Sequence, residues 1–475
     1  MEREMGPAGA NPLAERVEAE ALARISPDPD LLARVRKAID RLTARATDVA
    51  AEIRSPMLRC LVAGSAARGT FLADRLDIDF FMLFPPQLDR DGLERAGMEL
   101  ARRLLENPET RYAEHPYLRG TFDGFAVDAV PGYAVEDPSQ PLSAVDRTPF
   151  HQRYLESRTT PGHAAQIRLA KQFLRSLGAY GSEARTGGFS GYLVELLVLR
   201  FGSLARLLAE AERWRVPVHL PTDPSARPRV PDDVALVMDD PVDPHRNVAT
   251  ALSRRNLGLF ILAAAAYRCH PTASFFEIRS APPPSIAQSR DRIAQRGTHV
   301  AVLRLPRPKL VDDILYPQLR KAERALGEAA GRLGFMVLGT ASAAGDQDLI
   351  LLLEVGQAEL PKVRVHEGPP AGVDRGSEFL AKWTQAGASV LQGPYLTEDG
   401  KLAVDTVRPA LALEDLLIAE LPRLPIGKDL RREVGPASSL HTLAAAGESP
   451  ALRYALGDLV DRRLPWLRTP DPSGR

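Results

Sequence analysis

Cysteine and surplus charge are both scarce in this chain of 475 residues; the first excludes a class of protein, and the second only weakens the case for one. The only cysteines are Cys60 and Cys269, so we expect neither a disulfide framework nor a cysteine metal site. Lysine plus arginine and aspartate plus glutamate both number 61, so no overall positive field indicates a nucleic-acid partner. A local basic patch would be sufficient for RNA binding, so that class stays open.

Long apolar segments are missing as well. The longest apolar run, from Leu257 to Tyr267, is too short to span a bilayer, and the N-terminal segment is too charged for a secretory signal. A hydrophobic content of 44% and a charged content of 26% are typical of soluble proteins. We therefore expect a cytoplasmic protein of several domains.

A tight turn after an apolar strand is a candidate phosphate site. Residues 60–63 are apolar, and Gly64 and Ser65 close the run, where glycine permits a turn that other residues resist. Backbone N–H groups at the start of the short helix that follows suit a phosphate. Arg68 and the Ser65 hydroxyl add a charge and a donor.

Three carboxylates predict a site for divalent metal. Asp77 and Asp79 lie two residues apart on a second strand, 77–84, so both side chains point to one face. Asp128 is the one acid in the apolar strand 125–130, and such an acid usually has a partner or a ligand. If these strands are neighbours, the triad can hold two Mg²⁺ ions. Such a pair activates an attacking hydroxyl and neutralises a triphosphate that loses pyrophosphate.

A second interpretation needs no metal. Asp77 and Asp79 would be solvated at a strand entrance, and Asp128 would pair with an arginine. We favour the metal site because the Gly-Ser turn upstream and the third acid downstream are both present.

The rest of the chain predicts a helical middle part and a later α/β part. Helices are predicted over 13–51, with an interruption near Pro27 and Pro29, and over 91–106, 164–177, 192–213 and 316–333. Further strands are predicted over 300–305, 335–338 and 349–355. The proline run at 282–284 is a candidate linker, and the pattern beyond about residue 408 is helical.

These segments resemble the archaeal-type (class I) CCA-adding tRNA nucleotidyltransferases, of the polymerase-β-like nucleotidyltransferase superfamily. The matches run in the family's order from about residue 58 to residue 321, and include GSAARGTFL, LDIDFFMLF, VDAVPGY, GGFSGYLVELL and DPVDPHRNVA. The last two segments point most specifically to this branch.

The resemblance implies a fold of the α/β (α+β) class with three domains and, commonly, a dimer. A polymerase-β-like head with a mixed sheet would span 1–150. A helical substrate-binding domain would span 151–280, and an RRM-like tRNA-binding domain 281–475.

The resemblance also implies the activity and its residues. The family adds C, C and A to the tRNA 3′ end from CTP and ATP without a template, and Mg²⁺ is the expected cofactor. The metals are held by the residues that match Asp77, Asp79 and Asp128. The triphosphate is held by those that match Ser65, Arg68, His151, Lys171 and Tyr180. The arginine that matches Arg246 lies near the incoming base.

Several of these residues also have interpretations without a nucleotide. Lys171 would be solvated, and His151 would be a hydrogen-bonded core histidine. Tyr180 would anchor the packing, and Arg246 would pair with Asp240 or Asp243. The chain as a whole has two alternatives: a nucleotidyltransferase with another RNA or a small molecule as acceptor, or an inactive RNA-binding relative. The intact carboxylates argue against the inactive relative.

Overall fold

The computed structural model describes residues 11–112, 116–222, 234–278, 283–435 and 438–468. Its contacts form two units, one of the described residues up to 278 with 464–468, the other of those from 283 to 463. None of the described helices combines the length and the apolarity that crossing a membrane requires.

A five-stranded sheet with helices on one face forms the first part of the chain. The first described helix is α1 (Pro12–Ile25), which packs in the core of the helical part described below. The elements of the first part are then α2 (Pro29–Glu52), β1 (Arg59–Ala63), α3 (Gly64–Arg68), β2 (Asp77–Phe84), α4 (Arg90–Leu104), β3 (Glu106–Tyr112), β4 (Pro116–Phe122) and β5 (Phe125–Tyr133). The strand order is β1-β2-β5-β4-β3, and only β2 and β5 are parallel. The predicted strands 77–84 and 125–130 are confirmed as neighbours, and β3 follows the predicted helix without having been predicted.

The alternation along β2 decides which face is buried. Ile78, Phe80 and Met82 are fully buried against α2 and α4 in the core of this part. Asp77 and Asp79 point to the opposite face, since successive side chains alternate along a strand. The apolar side chains thus fix the carboxylates on the face opposite the main core, where Phe81 and Leu83 form a smaller buried cluster farther along the strand.

The hairpin between β4 and β5 is set by a two-residue turn. Asp123 and Gly124 have φ of +51° and +79°, and two successive positive values are those of a type I′ turn. Counting back from this turn, Arg119 pairs directly with Asp128. The turn residues therefore determine which side chain faces the strand acid.

Helices dominate the next part. Its elements are a 3₁₀ turn (Ala144–Arg147), α5 (Thr148–Glu156), α6 (Pro161–Ser176), α7 (Gly191–Phe201), α8 (Leu204–Ala211), β6 (Val218–His219), β7 (Leu236–Val237), β8 (Asp239–Asp240), β9 (Asp243–Asn247) and α9 (Arg254–Cys269). The single helix predicted over 192–213 was wrong: Gly202, with φ of +82°, ends α7, and the Ser203 side chain caps α8.

The second unit is built on an antiparallel sheet of order β11-β12-β10-β16. Its elements are α10 (Ile286–Arg296), β10 (His299–Pro306), α11 (Asp312–Leu333), β11 (Val337–Ala344), β12 (Asp348–Val355), β13 (Val363–Pro370), α12 (Arg375–Thr384), β14 (Val390–Leu396), β15 (Lys401–Val407), α13 (Leu413–Glu420), α14 (Lys428–Arg432), β16 (Ser439–Thr442) and α15 (Pro450–Val460). This strand order is that of an RRM-like βαββαβ sheet, with β13, β14 and β15 forming a separate small sheet in an insertion.

Both faces of the four-stranded sheet are covered. α11, α13 and α14 pack on one face, and α10 and α15 pack on the other, over Val300, Val302, Ile350 and Leu352. An RRM binds RNA by stacking bases on an open face of its sheet, so this sheet shares the topology without that open face. The helical pattern predicted beyond about 408 is correct for α13, α14 and α15 but missed β16.

The turn between β1 and α3 leaves no room for a side chain. Gly64 has φ of +74°, and a Cβ built on it would lie 2.2 Å from Asp79 Oδ2. Glycine is therefore required twice here, once for the backbone conformation and once for the approach to the carboxylate.

We expect Gly64→Ala to destabilise the protein more than the matched change Gly124→Ala. Both glycines have positive φ, so each alanine costs about 1–2 kcal/mol of backbone strain. Gly124 has open space around its missing Cβ, whereas Gly64→Ala must also push Asp79 from its rotamer, for ~1 kcal/mol more. Urea unfolding of the two variants measures the difference, and equal losses would refute the close approach.

Candidate active site

Three carboxylates and one arginine share a single face of the N-terminal sheet. Asp79 on β2 pairs in register with Asp128 on the parallel neighbour β5, and Asp128 pairs in turn with Arg119 on β4. Asp77 lies two residues before Asp79 on the same face. The predicted grouping of the three acids is therefore what the strand order and register produce.

Asp79 is the carboxylate with the most perturbed charge. Burial, with repulsion from Asp128 and Asp77, raises the pKa of Asp79 to about 7, against the opposite pull of Arg68 and Arg119. The structure gives its side chain no hydrogen bond and no ion pair among the described residues. Burial raises the pKa of Asp128 as well, although Arg119 opposes this effect. Such a carboxylate gains most from a cation that binds beside it.

Arg119 bridges the other two carboxylates. Its Nη1 donates to Asp128 Oδ1 at 3.3 Å and to Oδ2 at 3.1 Å, and its Nη2 donates to Asp77 Oδ1. The alternative in which Asp128 pairs with an arginine is thus correct for this arrangement of side chains. Among the described residues, no three carboxylate, imidazole or thiol side chains are gathered closely enough to hold a metal ion. The three carboxylates are the kind of ligand that a divalent ion prefers, and the strand register places them side by side. In this structure two of them bind the Arg119 guanidinium instead.

A buried ion cluster lies beside the turn at Gly64. Glu195, on α7, accepts from Lys171 Nζ at 2.9 Å through one oxygen and from Arg68 Nη2 at 2.7 Å through the other. Lys171 also donates to the Thr70 carbonyl at 3.1 Å and to its hydroxyl at 3.2 Å. Burial acts to raise the pKa of Glu195, but the two cations outweigh it and hold the pKa below its usual range.

Lys171 is therefore not a solvated helical lysine. Its side chain is 3% exposed, and the three contacts just described match the three N–H donors of an ammonium group. Arg68 is similarly engaged, because it also donates to Gln152. The two predicted phosphate cations are held ready by one carboxylate that was not predicted.

Two adjoining cavities contain most of the predicted site. One, of about 310 Å³, is bordered by Ser65, Arg68, Asp79, His151, Lys171 and Tyr180. The second, of about 140 Å³, is bordered by all three carboxylates and shares Ser65, Lys171 and Tyr180 with the first. A larger cavity of about 620 Å³ lies against β1, α2 and α5 and contains none of the carboxylates, so its size does not make it the site.

A second carboxylate hub lies at the hairpin of β8 and β9. Asp240 Oδ2 lies 2.7 Å from His151 Nε2 and 2.7 Å from Arg246 Nη1, and Asp240 Oδ1 accepts from the Tyr192 hydroxyl at 2.9 Å. Burial acts to raise the pKa of Asp240, but His151, the Val242 N–H and Arg246 hold it below its usual range. The ring centroids of His151 and Tyr192 lie 4.1 Å apart. Arg246 borders neither of the two adjoining cavities and reaches the site through Asp240.

Tyr180 is held by close backbone packing. It pairs with Phe189 in an isolated bridge, and a Cβ on Gly188 would lie 2.2 Å from the Ala179 carbonyl oxygen. Its ring also faces the guanidinium of Arg75 at 5.9 Å. Tyr180 is thus both a packing residue and part of the cavity wall.

Three residues that complete the site were not predicted from the sequence: Glu195, Arg119 and Tyr192. Glu195 is the single acid in the apolar run of α7. A single acid in an apolar strand was the signal that identified Asp128, so the same argument was available for Glu195. Arg119 was available by counting back from the Asp-Gly turn. Tyr192 had no such signal, because its partner Asp240 is 48 residues away.

Three family models match this chain, in order along it. They are a nucleotidyltransferase domain over residues 52–151, the second domain of tRNA nucleotidyltransferase over 165–277, and the C-terminal domain of the CCA-adding enzyme over 296–441. Members of the nucleotidyltransferase superfamily generally use divalent metals, which agrees with the donor set on β2 and β5.

Archaeal relatives match over most of their length. The CCA-adding enzyme of Haloarcula marismortui is 40% identical over 81% of this chain and 85% of its own. The CCA-adding enzymes of Halobacterium salinarum and Thermoplasma volcanium are 38% and 34% identical. Each match covers 86% of this chain and 90% of the relative. The solved structure of E. coli MS115-1 CdnC with ATP, at 19% identity and TM-score 0.42, covers 55% of this chain and 94% of that chain, and it adds nothing to the assignment. With these relatives and three consecutive domain matches, the chain belongs to the family of CCA-adding enzymes, the tRNA nucleotidyltransferases.

Proposed function

We propose that this protein adds and repairs the 3′-terminal CCA of tRNA from CTP and ATP, without a nucleic-acid template. The observation that carries the proposal is the row of Asp79 and Asp128 on parallel neighbouring strands, with Asp77 on the same face, beside a cavity bordered by cations. The tRNA 3′-hydroxyl attacks the α-phosphorus of the nucleotide and gives up its proton to solvent. A P–O bond forms between the RNA and the α-phosphorus as the bond from the α-phosphorus to the leaving pyrophosphate breaks.

The metal ligands in this proposal are Asp77, Asp79 and Asp128, and the ion is Mg²⁺. Bound Mg²⁺ would neutralise the triphosphate and lower the pKa of the attacking hydroxyl. Asp79 supports this assignment because it lacks a hydrogen-bonding partner among the described residues and lies between like charges. Gly64 brings the phosphate turn against the same carboxylate, so the nucleotide and the ligands share one wall of the cavity.

The triphosphate contacts in this proposal come from Ser65, Arg68, His151, Lys171 and Tyr180. All five border the larger of the two adjoining cavities. The cluster around Glu195 holds Arg68 and Lys171 at the cavity wall before a nucleotide arrives. A direct bond from Lys171 to a phosphate would replace one of its three contacts.

Base selection is assigned to Arg246 in this proposal. A guanidinium offers donors in a fixed planar fork, and both C and A carry acceptors that suit it. Asp240 supports the assignment, because its bond to Nη1 of Arg246 orients the fork while the side chain stays 38% exposed. The predicted pairing with Asp240 or Asp243 thus resolves in favour of Asp240, since Asp243 pairs with Arg147.

Three further features belong to the same proposal. The domains are a head over 1–150, a helical domain over 151–280 and an RRM-like tRNA-binding domain over 281–475. The active form is a homodimer, and the enzyme works in the cytoplasm. The order of the three domains is supported by the three family models that match in sequence along the chain.

The acceptor is tested with labelled CTP and ATP offered to tRNA that lacks its CCA end. Incorporation of two C residues and then one A into tRNA is the expected result. Labelling of another RNA or a small molecule, with tRNA left unlabelled, would favour the alternative acceptor.

Asp79→Asn should abolish nucleotide addition while fold and tRNA affinity stay intact. The amide removes a charged ligand of the metal, and metal ions supply several kcal/mol in such reactions, so we expect a loss of about 10³-fold or more. Single-turnover incorporation measures the effect. Asp123→Asn is the matched control, because Asp123 lies at the hairpin turn and asparagine suits that turn. Near-normal turnover of Asp79→Asn at ordinary Mg²⁺ would reject the triad.

Lys171→Ala should raise the KM for CTP and ATP alike, because a phosphate contact cannot distinguish bases. Loss of one charge-assisted hydrogen bond, ~1.5–3 kcal/mol, corresponds to about 10- to 100-fold in KM. Glu195 also loses one of its two cations, so thermal stability should fall in the same variant. Steady-state kinetics with each nucleotide, at a temperature where the variant is folded, make the test. A strong preference between the nucleotides would place Lys171 in another role.

Arg246→Ala should reduce CTP and ATP incorporation and weaken their advantage over UTP and GTP. Arg246→Lys should restore little, since lysine keeps the charge but loses the fork. Single-turnover incorporation of all four nucleotides on tRNA ending before, within and after the CC step measures the preference. Arg147→Ala is the matched control, because Arg147 pairs with Asp243 of the same hairpin at 2.8 Å. Unchanged preference in Arg246→Ala, or the same change in Arg147→Ala, would exclude base reading by Arg246.

A further inference from the structure

Arg119 occupies the side of the carboxylate triad on which a metal ion would need ligands. Its guanidinium binds Asp128 through Nη1 and Asp77 through Nη2 at the same time. A guanidinium so placed takes up oxygen lone pairs from two of the three carboxylates that a divalent ion would need. This explains why the described acids are close in register without being gathered around a point.

The position of Arg119 is determined by the backbone rather than by chance contact. The type I′ turn at Asp123 and Gly124 fixes the β4–β5 register and sets Arg119 opposite Asp128. Directly paired residues on neighbouring antiparallel strands have Cβ atoms about 5 Å apart, so the side chain has little choice of partner. The bridge from Asp128 to Asp77 then follows from the length and the fork of the arginine side chain.

The bridge can open without disturbing the core. The Arg119 side chain is 38% exposed and that of Asp77 is 37% exposed, so the guanidinium can withdraw into solvent. Asp79 is not part of the bridge and keeps its carboxylate directed toward the turn at Gly64. One ligand is therefore always presented, while the other two are exchanged between the arginine and an incoming cation.

We propose that Arg119 is a positioning residue that competes with the divalent metal for Asp77 and Asp128, so that metal binding requires the guanidinium to swing away. The inference rests on the proposed metal site. In the metal-free protein Arg119 relieves the repulsion within the triad. Arg119 must leave the carboxylates before the metal site can form. The apparent metal affinity of the enzyme is lowered because only the fraction of molecules with Arg119 displaced can bind the ion.

The test is the binding of Mn²⁺ alone to the full-length protein, followed by the EPR signal of free Mn²⁺ at constant ionic strength and without nucleotide. Arg119→Ala should bind Mn²⁺ about 10-fold more tightly than the unaltered protein, because no competing cation has to leave. Arg111→Ala is the matched control: Arg111 also acts on Asp128 electrostatically but is paired with Glu109 at 2.8 Å. We expect the Mn²⁺ affinity of Arg111→Ala to change less than about twofold, since a charge that is screened by salt and does not bind the carboxylates has a small effect.

Thermal unfolding gives an independent reading. Without metal, Arg119→Ala should melt below the unaltered protein, and saturating Mn²⁺ should raise its melting temperature by the larger increment. Arg119→Lys keeps the charge without the fork and should bind Mn²⁺ with intermediate affinity, which also serves if the alanine variant does not fold. Equal or weaker Mn²⁺ binding in both Arg119 variants overturns the inference, as does equal tightening in Arg111→Ala.

Failure of the proposed metal site looks different. If the unaltered protein and Asp79→Asn bind Mn²⁺ equally, the triad is not a metal site, and both proposals fall. If Asp79→Asn loses binding while the Arg119 variants match the unaltered protein, the site stands and only the competition is refuted.

Discussion

Repulsion between carboxylates on one face of a sheet is the constraint on which the rest of this site depends. The apolar core beneath β2 fixes the direction of Asp77 and Asp79, and the parallel pairing with β5 adds Asp128 to the row. Folding alone does not favour such a row, and the pKa of Asp79, raised to about 7, shows its cost. Arg119 offsets part of that cost at one end, and the turn at Gly64 leaves room for the carboxylate at the other.

The converse arrangement, one carboxylate shared by several donors, occurs twice beside this site. Glu195 joins Lys171 to Arg68, and Asp240 joins His151 to Arg246. In each pair, two groups proposed to contact the nucleotide are oriented by one acid that is not among the three proposed metal ligands. Replacing either member of a pair therefore alters the other, so the effects of single substitutions will not be additive.

Local patterns sufficed for the parts of the site that depend on neighbouring residues. The apolar alternation of β2, the single acid of β5 and the glycine turn each lie within a few residues, and each was predicted correctly. The register of Arg119 was also encoded locally, in Asp123-Gly124. The partners of Glu195 were not, because Thr70 lies 125 residues away and only packing of α7 against the first part brings them together. The break at Gly202 was missed although its signal is local: the apolar face continues across the break and favours one helix, but Gly202 ends α7 and Ser203 caps α8.

The buried cluster around Glu195 has a mechanical consequence. Arg68 and Thr70 belong to the part that carries the carboxylates, whereas Lys171 and Glu195 belong to α6 and α7 of the helical part. Pulling these parts away from each other would leave a charge stranded in an apolar interior, which is far costlier than breaking a surface contact. The buried ion pairs of Glu195 therefore hold the two walls of the cavity at a fixed distance from each other. A change in the width of the cavity is therefore expected from movement of the side chains that border it rather than from separation of the two parts.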